Sequence, residues 1–339
     1  MVEWNDFSIY LFCAVQYDIL ILNGSLQQLC PICSVSGNNI NHKKRNSTMF
    51  EKRKIDWVAT LFIFAVHGLA VWGVFHWVNH FSWKTTILTA TWFVSCGFSI
   101  TAGYHRLFTH RSYTAAYPLR VFFMLFGAGS SQGSAIQWVS NHFQHHASDT
   151  RKDIEDPHDI RKGFWWAHCI WLLHKLPNIR PSYVRTLHGD PLVVLQHRFY
   201  LPLMLVFTFF LPAMIALCWK DFLGGLLLAG CLRTVVQWHI TWSVNSIAHT
   251  FGDNLFRRPD QSRNNWVLSS LLFALGELFH SFHHQFPSDY RNGWKCFHVD
   301  PTKWLIWTFS LIGLTKNLVR TSEEATQAAI QAAQSQDPP

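Results

Sequence analysis

The sequence predicts an all-α membrane protein whose four membrane-spanning helices form two hairpins. Hydrophobic residues make up 49% of the 339 residues and charged residues only 14%. The 28 Phe and 17 Trp give an aromatic content that is typical of membrane proteins, where Trp favours the membrane–water interface. Four apolar stretches reach the roughly 20 residues that a helix needs to cross a bilayer. They cover approximately residues 57–79, 86–104, 199–219 and 222–247.

Basic residues predict how these four helices are oriented. The connections within the two pairs are short, so each pair forms a hairpin. Each connection contains a single basic residue, Lys84 in the first and Lys220 in the second. Other basic residues precede the first span or follow the second and fourth: Lys52, Arg53, Lys54, Arg106, Arg111, Arg257, Arg258 and Arg263. The positive-inside rule therefore places both termini in the cytoplasm, where residues 105–198 and 248–339 form a helical cap. The membrane would be the inner membrane in a bacterium or the endoplasmic reticulum in a eukaryote.

The segments outside the spans differ in composition. Residues 118–139 and 266–279 are apolar but are interrupted by Gly, Ser or Gln, and we expect them to lie in the membrane interface. Residues 1–48 predict a weakly ordered extension, with an ordinary N-terminal helix as the alternative. Residues 49–315 form the main domain. Residues 316–339 predict a tail that is either a frayed helix or disordered.

Cysteine usage and charge argue against several functions. The eight cysteines are scattered, mostly in apolar stretches, and we interpret them as reduced core residues. Cys30 and Cys33 form a single CPIC, which is weak evidence for a zinc or redox site without a second pair. The net charge of +8 contains no long basic run. We therefore attribute the charge to cytoplasmic flanks and expect no nucleic-acid partner.

Nine of the 20 histidines occur in spaced groups. The groups are HRLFTH, HFQHH, NSIAH and HSFHH, and they contain His105, His110, His142, His145, His146, His249, His280, His283 and His284. A random sequence of this composition contains fewer than about 0.1 copies of HxxHH, whereas this chain has two. The repeated spacing therefore indicates a metal site more strongly than a set of ordinary core or interfacial histidines.

Helix geometry explains most of this spacing. Positions i, i+3 and i+4 share one helical face, so each HxxHH presents three imidazoles together. Asn245 and His249 share a face in the same way. His105 and His110 lie about 140° apart on a straight α-helix, so either the helix ends between them or each serves a different metal. Nine histidines suit two ions with four or five ligands each, and imidazole alone does not choose among Zn, Cu, Fe and Ni.

Carboxylates near the histidine groups are expected to orient the imidazole N–H groups rather than to bind metal. The candidates are Asp149, Asp153, Asp156, Glu277 and Asp289.

The histidine groups and their order resemble those of the membrane fatty acyl desaturase family, of the acyl-CoA (stearoyl-CoA) Δ9 type. The resemblance runs from about residue 55 to 315 and includes GYHRLFTHRSY, DPHDIRKGFWWAH, TWSVNSIAHTFGD and GELFHSFHHQFPSDYRNG. It implies four transmembrane helices below a cytosolic domain with two Fe²⁺ ions, bound by the nine histidines and, through water, by Asn245. It also implies an acyl tunnel whose bend is enclosed by Gln132, Trp138, Thr241 and Trp242.

The resemblance implies an oxidoreductase of fatty acid biosynthesis that uses O₂ to insert a cis double bond, most characteristically Δ9, into a saturated acyl chain. The chain contains no haem-binding HPGG segment, so we expect a separate electron donor such as cytochrome b5 or ferredoxin. Two alternatives stay open. A fatty acyl or alkane hydroxylase would use the same di-iron site, and a histidine-rich metal transporter would place its ligands at mid-membrane.

Two features depart from this family pattern or lack an explanation. Animal members carry Arg-Asp before the second HxxHH, where the coenzyme A head group is held, but Ser140 and Asn141 stand here. The acyl carrier could therefore be coenzyme A, a glycerolipid or an acyl carrier protein. Lys175 lies near another head-group position. Arg233 falls inside the fourth span, where a cation needs a partner that the sequence does not identify.

Overall fold

The structure is a computed structural model that describes residues 53–148, 151, 154–271 and 274–335. The expected extension at residues 1–48, including Cys30 and Cys33, lies outside the described residues. Two of the candidate carboxylates, Asp149 and Asp153, also lie outside them.

Helices account for most of the described chain. In chain order they are α1 (Trp57–Asn79), α2 (Trp83–Thr109), α3 (Tyr117–Ala128), α4 (Ala135–Ser148), α5 (Phe164–His168), α6 (Pro181–His188), α7 (Pro191–Arg198), α8 (Tyr200–Leu217), α9 (Phe222–His249), α10 (Trp266–Leu271), α11 (His280–Gln285), α12 (Pro301–Leu311) and α13 (Glu323–Ser335). Short 3₁₀ turns occupy Ile160–Lys162 and Ile170–Leu173. The strands β1 (Thr114–Ala115) and β2 (Thr315–Lys316) pair antiparallel.

Four of these helices, α1, α2, α8 and α9, are long and apolar enough to cross a membrane. They confirm the predicted all-α fold with four spanning helices. Only Phe81 and Ser82 separate the cap of α1 from α2, and the Ser82 hydroxyl accepts a hydrogen bond from the Thr85 N–H. Asp221 caps α9 by accepting from the Gly224 N–H, and its carboxylate lies 3.2 Å from His76 Nε2 on α1. The two hairpins are thus joined at their tips.

Helix α1 packs closely against α9 because a glycine faces a backbone carbonyl. A Cβ atom at Gly73 would lie only 2.9 Å from the Leu227 carbonyl oxygen. Small residues at such crossings let membrane helices approach closely and gain van der Waals contact. Ala70 and Cys231 are buried in the same helix interface. This packing holds the second hairpin against the first.

Arg233 has partners that no sequence pattern indicated. Its Nη1 donates to the Gly129 carbonyl oxygen at 2.9 Å and to Gln237 Oε1 at 3.2 Å, and its Nε donates to the Ala229 carbonyl oxygen at 3.0 Å. Residue 129 ends α3, so this buried guanidinium attaches the cap to α9. The Nε and Nη1 atoms donate to carbonyl oxygens rather than to a carboxylate, and Nη2 is buried without a hydrogen bond in the described structure.

The two interrupted apolar segments do not span the membrane. Residues 118–139 divide into α3 and α4, separated by a turn in which Ser131 and Gly133 have positive φ. Among the described residues of 266–279, the structure has the short helix α10. Helices α3 and α4 pack instead on the end of α2, around a core that includes Tyr104, Phe123, Ile136 and Val139.

The C-terminal segment belongs to the folded unit beyond the expected boundary at 315. Strand β2 pairs with β1, and the Tyr290 N–H donates to the Val319 carbonyl oxygen. The described part of the tail contains the helix α13, which agrees with the helical one of the two alternatives. Its Ala329 and Ile330 pack against a buried aromatic cluster formed by Phe256, Phe279, Phe282 and Trp294. Short-range composition did not reveal these contacts because their partners lie far away in the sequence.

Candidate metal centre

Five of the nine histidines form a first cluster in which the Nε2 atoms face one another. His105 Nε2 lies 3.0 Å from His283 Nε2, and His110 Nε2 lies 2.9 Å from His142 Nε2. His146 Nε2 is 3.1 Å from both His142 Nε2 and His283 Nε2. All five rings therefore point their outer nitrogens at one small volume.

The remaining four histidines form a second cluster beside the first. His284 Nε2 lies 3.2 Å from His145 Nε2 and 3.0 Å from His280 Nε2. The ring of His249 lies 4.9 Å from that of His280, and its Nε2 is buried without a hydrogen bond in the described structure. The cluster is fully buried. It offers four nitrogens to a single position.

Each HxxHH segment contributes to both clusters instead of presenting three ligands to one. On α4, His142 and His146 are four residues apart and enter the first cluster, whereas His145 enters the second. On α11, His283 enters the first cluster. The other two histidines of α11, His280 and His284, enter the second. The two helices therefore form a shared wall between two adjacent sites.

The end of α2 resolves the spacing of the first group. Residues Ser99–Thr109 are π-helical, and the His110 N–H donates to the His105 carbonyl oxygen at 3.1 Å. This bond joins residues five apart, which places them one turn apart on the same side. The helix ends at Thr109, between the two histidines, so the first of the two alternatives applies. His105 and His110 face the same volume.

The Nδ1 atoms of four histidine rings contact carboxylates or a backbone carbonyl. Glu277 Oε2 lies 2.8 Å from His105 Nδ1, and Asp156 Oδ2 lies 2.8 Å from His145 Nδ1. Asp260 Oδ2 lies 2.6 Å from His284 Nδ1, while the Asp260 carbonyl oxygen is 2.8 Å from His249 Nδ1. The four pairs are Glu277–His105, Asp156–His145, Asp260–His284 and Asp260–His249. An imidazole that donates from Nδ1 leaves a bare lone pair on Nε2.

Of the carboxylates expected from the sequence, Asp156 and Glu277 have the orienting contact. Asp289 does not, because it forms an ion pair with Arg291 at 2.7 Å. Asp260 was missed, since it lies eleven residues after His249 in a loop and no helical spacing connects them.

Burial and neighbouring charged groups shift the pKa values of His142 and Asp156 in the cap. Burial, with the neighbouring His105 as the next contribution, lowers the pKa of His142 well below its usual value. Burial also raises the pKa of Asp156, but the adjacent His145 and His158 outweigh it and hold that pKa below its usual range. Neutral imidazoles beside ionised carboxylates are the protonation states that bind a divalent cation.

The donor set fits one cation in each cluster. His145 and His284 both direct Nδ1 at a carboxylate, yet their Nε2 atoms are only 3.2 Å apart. Two bare lone pairs at this separation repel unless a cation lies between them. The first cluster brings five Nε2 atoms together, with Glu277 at the Nδ1 atom of His105. Imidazoles oriented by carboxylates are typical of transition-metal sites.

An apolar cavity leads to both clusters. Its wall includes Phe93, Ile100, Ile240 and Val244, together with one edge formed by the histidines of the two clusters. The histidines on this edge are His105, His142, His145 and His280. Such a cavity suits an extended apolar ligand whose middle lies against the metals.

The residues expected to enclose the bend of a tunnel lie at or beside this cavity. Trp138 and Thr241 line it, and the Trp138 ring stacks on His142 with 4.9 Å between centroids. Gln132 Nε2 donates to Thr241 Oγ1 at 3.0 Å. Trp242 is not part of the cavity wall. It stacks on Trp238 at 5.8 Å.

Asn245 lines the cavity one helical turn before His249. Ser140 and Asn141 on α4, which replace the Arg-Asp of the animal pattern, bind groups within the protein. Ser140 Oγ accepts from the Arg180 N–H at 3.0 Å, and Asn141 Oδ1 accepts from Gln137 Nε2 at 2.9 Å. Both side chains are buried. Neither is positioned to hold a head group at the surface.

Comparisons with known proteins agree with this geometry. The family model described as fatty acid desaturase matches residues 86–293. A probable acyl-CoA desaturase of Schizosaccharomyces pombe is 38% identical over 82% of this chain and 57% of its own length. Acyl-CoA desaturase 1 of Saccharomyces cerevisiae is 42% identical over 69% of this chain and 46% of its own length. An sn-1 stearoyl-lipid 9-desaturase of Anabaena variabilis is 32% identical over 79% of this chain and 95% of its own length. The chain thus spans about half the length of the two fungal relatives and nearly all of the cyanobacterial one.

Proposed function

Because the chain belongs to the fatty acid desaturase family, we propose that it inserts a cis double bond into a saturated fatty acyl chain at a di-iron site. The observation that carries the proposal is the pair of buried histidine clusters at the edge of an apolar cavity. We assign the first iron to His105, His110, His142, His146 and His283. We assign the second to His145, His249, His280 and His284, with Asn245 contributing through water.

The reaction explains why the site is built from ligands and apolar walls instead of acid–base residues. Two adjacent methylenes lose two hydrogens in total, and O₂ is reduced to two waters with two further electrons and two protons. When bound, the irons supply the oxidation of unactivated C–H bonds with O₂. The electrons come from a separate donor, for which we propose a cytochrome b5 or ferredoxin type of protein.

The residues of this chain position the substrate and orient the ligands. Phe93, Ile100 and Ile240 give the acyl chain an apolar environment, and Trp138 covers His142 so that the reacting methylenes are kept away from water. The bond between Gln132 and Thr241 closes one side of the path, where a bend would place two methylenes side by side. Glu277, Asp156 and Asp260 hold the imidazoles in the tautomer that leaves Nε2 free.

We propose acyl-CoA as the carrier and Δ9 as the position of the double bond. The two fungal relatives are named acyl-CoA desaturases, and the cyanobacterial relative is named for position 9. Ser140 does not itself present a cation, but its hydroxyl accepts a hydrogen bond from the backbone N–H of Arg180, a half-buried residue of the cap. Arg180 could therefore replace the missing arginine as a partner for the coenzyme A phosphates.

Expression of the full chain in a host without its own acyl desaturase tests the proposal. We expect unsaturated fatty acids whose double bond, located by mass spectrometry, follows the ninth carbon. The variant His145→Ala should form none, whereas His188→Ala, which removes an exposed histidine on α6, should retain activity. Hydroxy fatty acids without olefins would instead indicate a hydroxylase. Retained activity in His145→Ala would contradict the assignment of the site.

A further inference from the structure

A second pocket reaches the metal centre, and its lining differs from that of the apolar cavity. It lies between residues 156–161 and residues 259–261, and its inner wall includes His145 and His249 of the second cluster. Its wall is mainly polar, whereas the other cavity is mainly apolar. The acyl chain has no use for this pocket, since a hydrocarbon gains nothing from a polar wall.

The pocket contains a group of candidate metal ligands that extends beyond the nine histidines. Ligand atoms of His145, Asp156 and His158 all lie within 4.8 Å of one another, and all three residues are buried. His158 Nδ1 lies 3.4 Å from Asp156 Oδ1 and makes no hydrogen bond in the described structure. The ring of His158 lies 4.5 Å from that of His145. The imidazole of His158 and the carboxylate of Asp156 thus lie beside His145, a proposed iron ligand. The Nδ1 atom of His158 makes no hydrogen bond in the described structure and could bind a cation.

The charge of the pocket favours a cation. Three carboxylates line it, from Asp156, Asp159 and Asp260, against two guanidinium groups: that of Arg258, which lies 2.9 Å from Asp260 Oδ2, and that of Arg161. The guanidinium of Arg161 is itself paired, because its Nε lies 2.8 Å from Asp159 Oδ1. A pocket of net negative charge in a chain of net charge +8 concentrates cations locally.

We propose that His158 and Asp156 form an outer divalent-cation site through which the metal of the second cluster enters from water. The inference rests on the proposed metal centre. Only the imidazole of His145 separates the outer site from the second cluster. Its Nδ1 contacts Asp156 of the outer site, and its Nε2 contacts His284 of the second cluster. The apolar cavity is a poor alternative route, since a hydrated cation would lose its water without replacement ligands.

Uptake of Co²⁺ by the metal-free full chain in detergent tests this site, because Co²⁺ bound by imidazole absorbs visible light. Wild-type protein should fill two tight sites and one weaker one. The variant His158→Ala should still bind two ions tightly, lose the weak site, and fill the second cluster about tenfold more slowly. His188→Ala serves as the control and should behave like wild type.

A second pair of variants leaves the ligands intact. Ile160 lines the pocket, so Ile160→Lys should slow uptake about tenfold through its added positive charge, whereas Ile160→Leu should not. Unchanged rates and stoichiometry in both His158→Ala and Ile160→Lys would overturn the inference. If wild-type protein fills no tight site, the proposed metal centre fails instead. The outer site is then judged separately by the loss of weak Co²⁺ binding in His158→Ala.

Discussion

Glu277 Oε2 lies 2.8 Å from His105 Nδ1, while Glu277 Oε1 accepts a hydrogen bond from Arg106 at 3.0 Å. One carboxylate therefore connects a ligand candidate on α2 with the segment before α11. The variant Glu277→Gln keeps the size of the side chain but loses the charge that orients the imidazole. We expect the affinity for iron at the first cluster to fall about 10- to 100-fold. Iron content measured against chelator concentration checks this, with the exposed Glu323→Gln as the control. Equal iron retention in both variants would contradict the orienting role.

The two clusters should be separable by single substitutions. His110 contacts only the first cluster and His249 only the second. We therefore expect His110→Ala and His249→Ala each to retain about one iron per chain instead of two, because each removes a ligand from one ion. Elemental analysis of purified protein measures the ratio. Loss of both irons in each variant would indicate a single coupled site.

Asp300 should be among the most sensitive residues for stability. Its carboxylate is fully buried, lies 3.1 Å from Arg106 Nη2, and accepts hydrogen bonds from three backbone N–H groups. Asp300→Ala leaves the Arg106 guanidinium buried with one partner fewer, and breaking such a pair typically costs about 3–5 kcal/mol. Denaturant unfolding in detergent micelles measures the change. The exposed control Asp253→Asn should change the free energy of unfolding by less than about 0.5 kcal/mol.

His298 predicts a dependence of stability on pH. It stacks on Phe279 at 4.5 Å, and burial, aided by Lys303 and Lys295, lowers its pKa to about 4. The unfolded chain has the ordinary pKa of about 6.5, so between these values it binds more protons than the folded chain. The contribution of neutral His298 to the free energy of unfolding is therefore lost as the pH falls from about 6.5 towards 4. His298→Phe keeps the aromatic ring without the titration and should show a flatter melting temperature over this range. Identical slopes for the two proteins would contradict the prediction.

Arg180 should affect substrate binding more than chemistry. Its position beside Ser140 suggests contact with the phosphates of the carrier. We expect Arg180→Ala to raise KM for an acyl-CoA about 3- to 10-fold, with kcat nearly unchanged, because a charge-assisted hydrogen bond would be lost in the ground state and the transition state alike. Lys84→Ala, at the exposed start of α2, is the matched control. An unchanged KM would favour a different carrier or a different head-group site.

Sequence patterns were most informative where the determining physics is local. Apolar length predicted four spanning helices, and the i, i+3, i+4 spacing predicted that the histidines of α4 and α11 would gather. The spacing did not reveal that each helix serves two clusters. His145 and His146 are neighbours in sequence, yet they point to different sites because successive residues are about 100° apart on a helix.

Residues that act through long-range contacts needed the tertiary structure. Asp260 approaches His284 from a loop, and Arg233 reaches the carbonyl of Gly129 across 104 residues. The five-residue spacing of His105 and His110 made sense only once the π-helical end of α2 was known.

By itself, the sequence determined that this protein is a helical membrane protein with nine grouped histidines and the pattern of the desaturase family. Hydrophobic length and helical periodicity depend only on neighbouring residues, so they can be read without a structure. Tertiary structure alone decided how the nine histidines divide into clusters of five and four, which carboxylates contact them, and that a polar pocket and an apolar cavity both lead to them. Those relationships depend on packing between helices that are far apart in the chain.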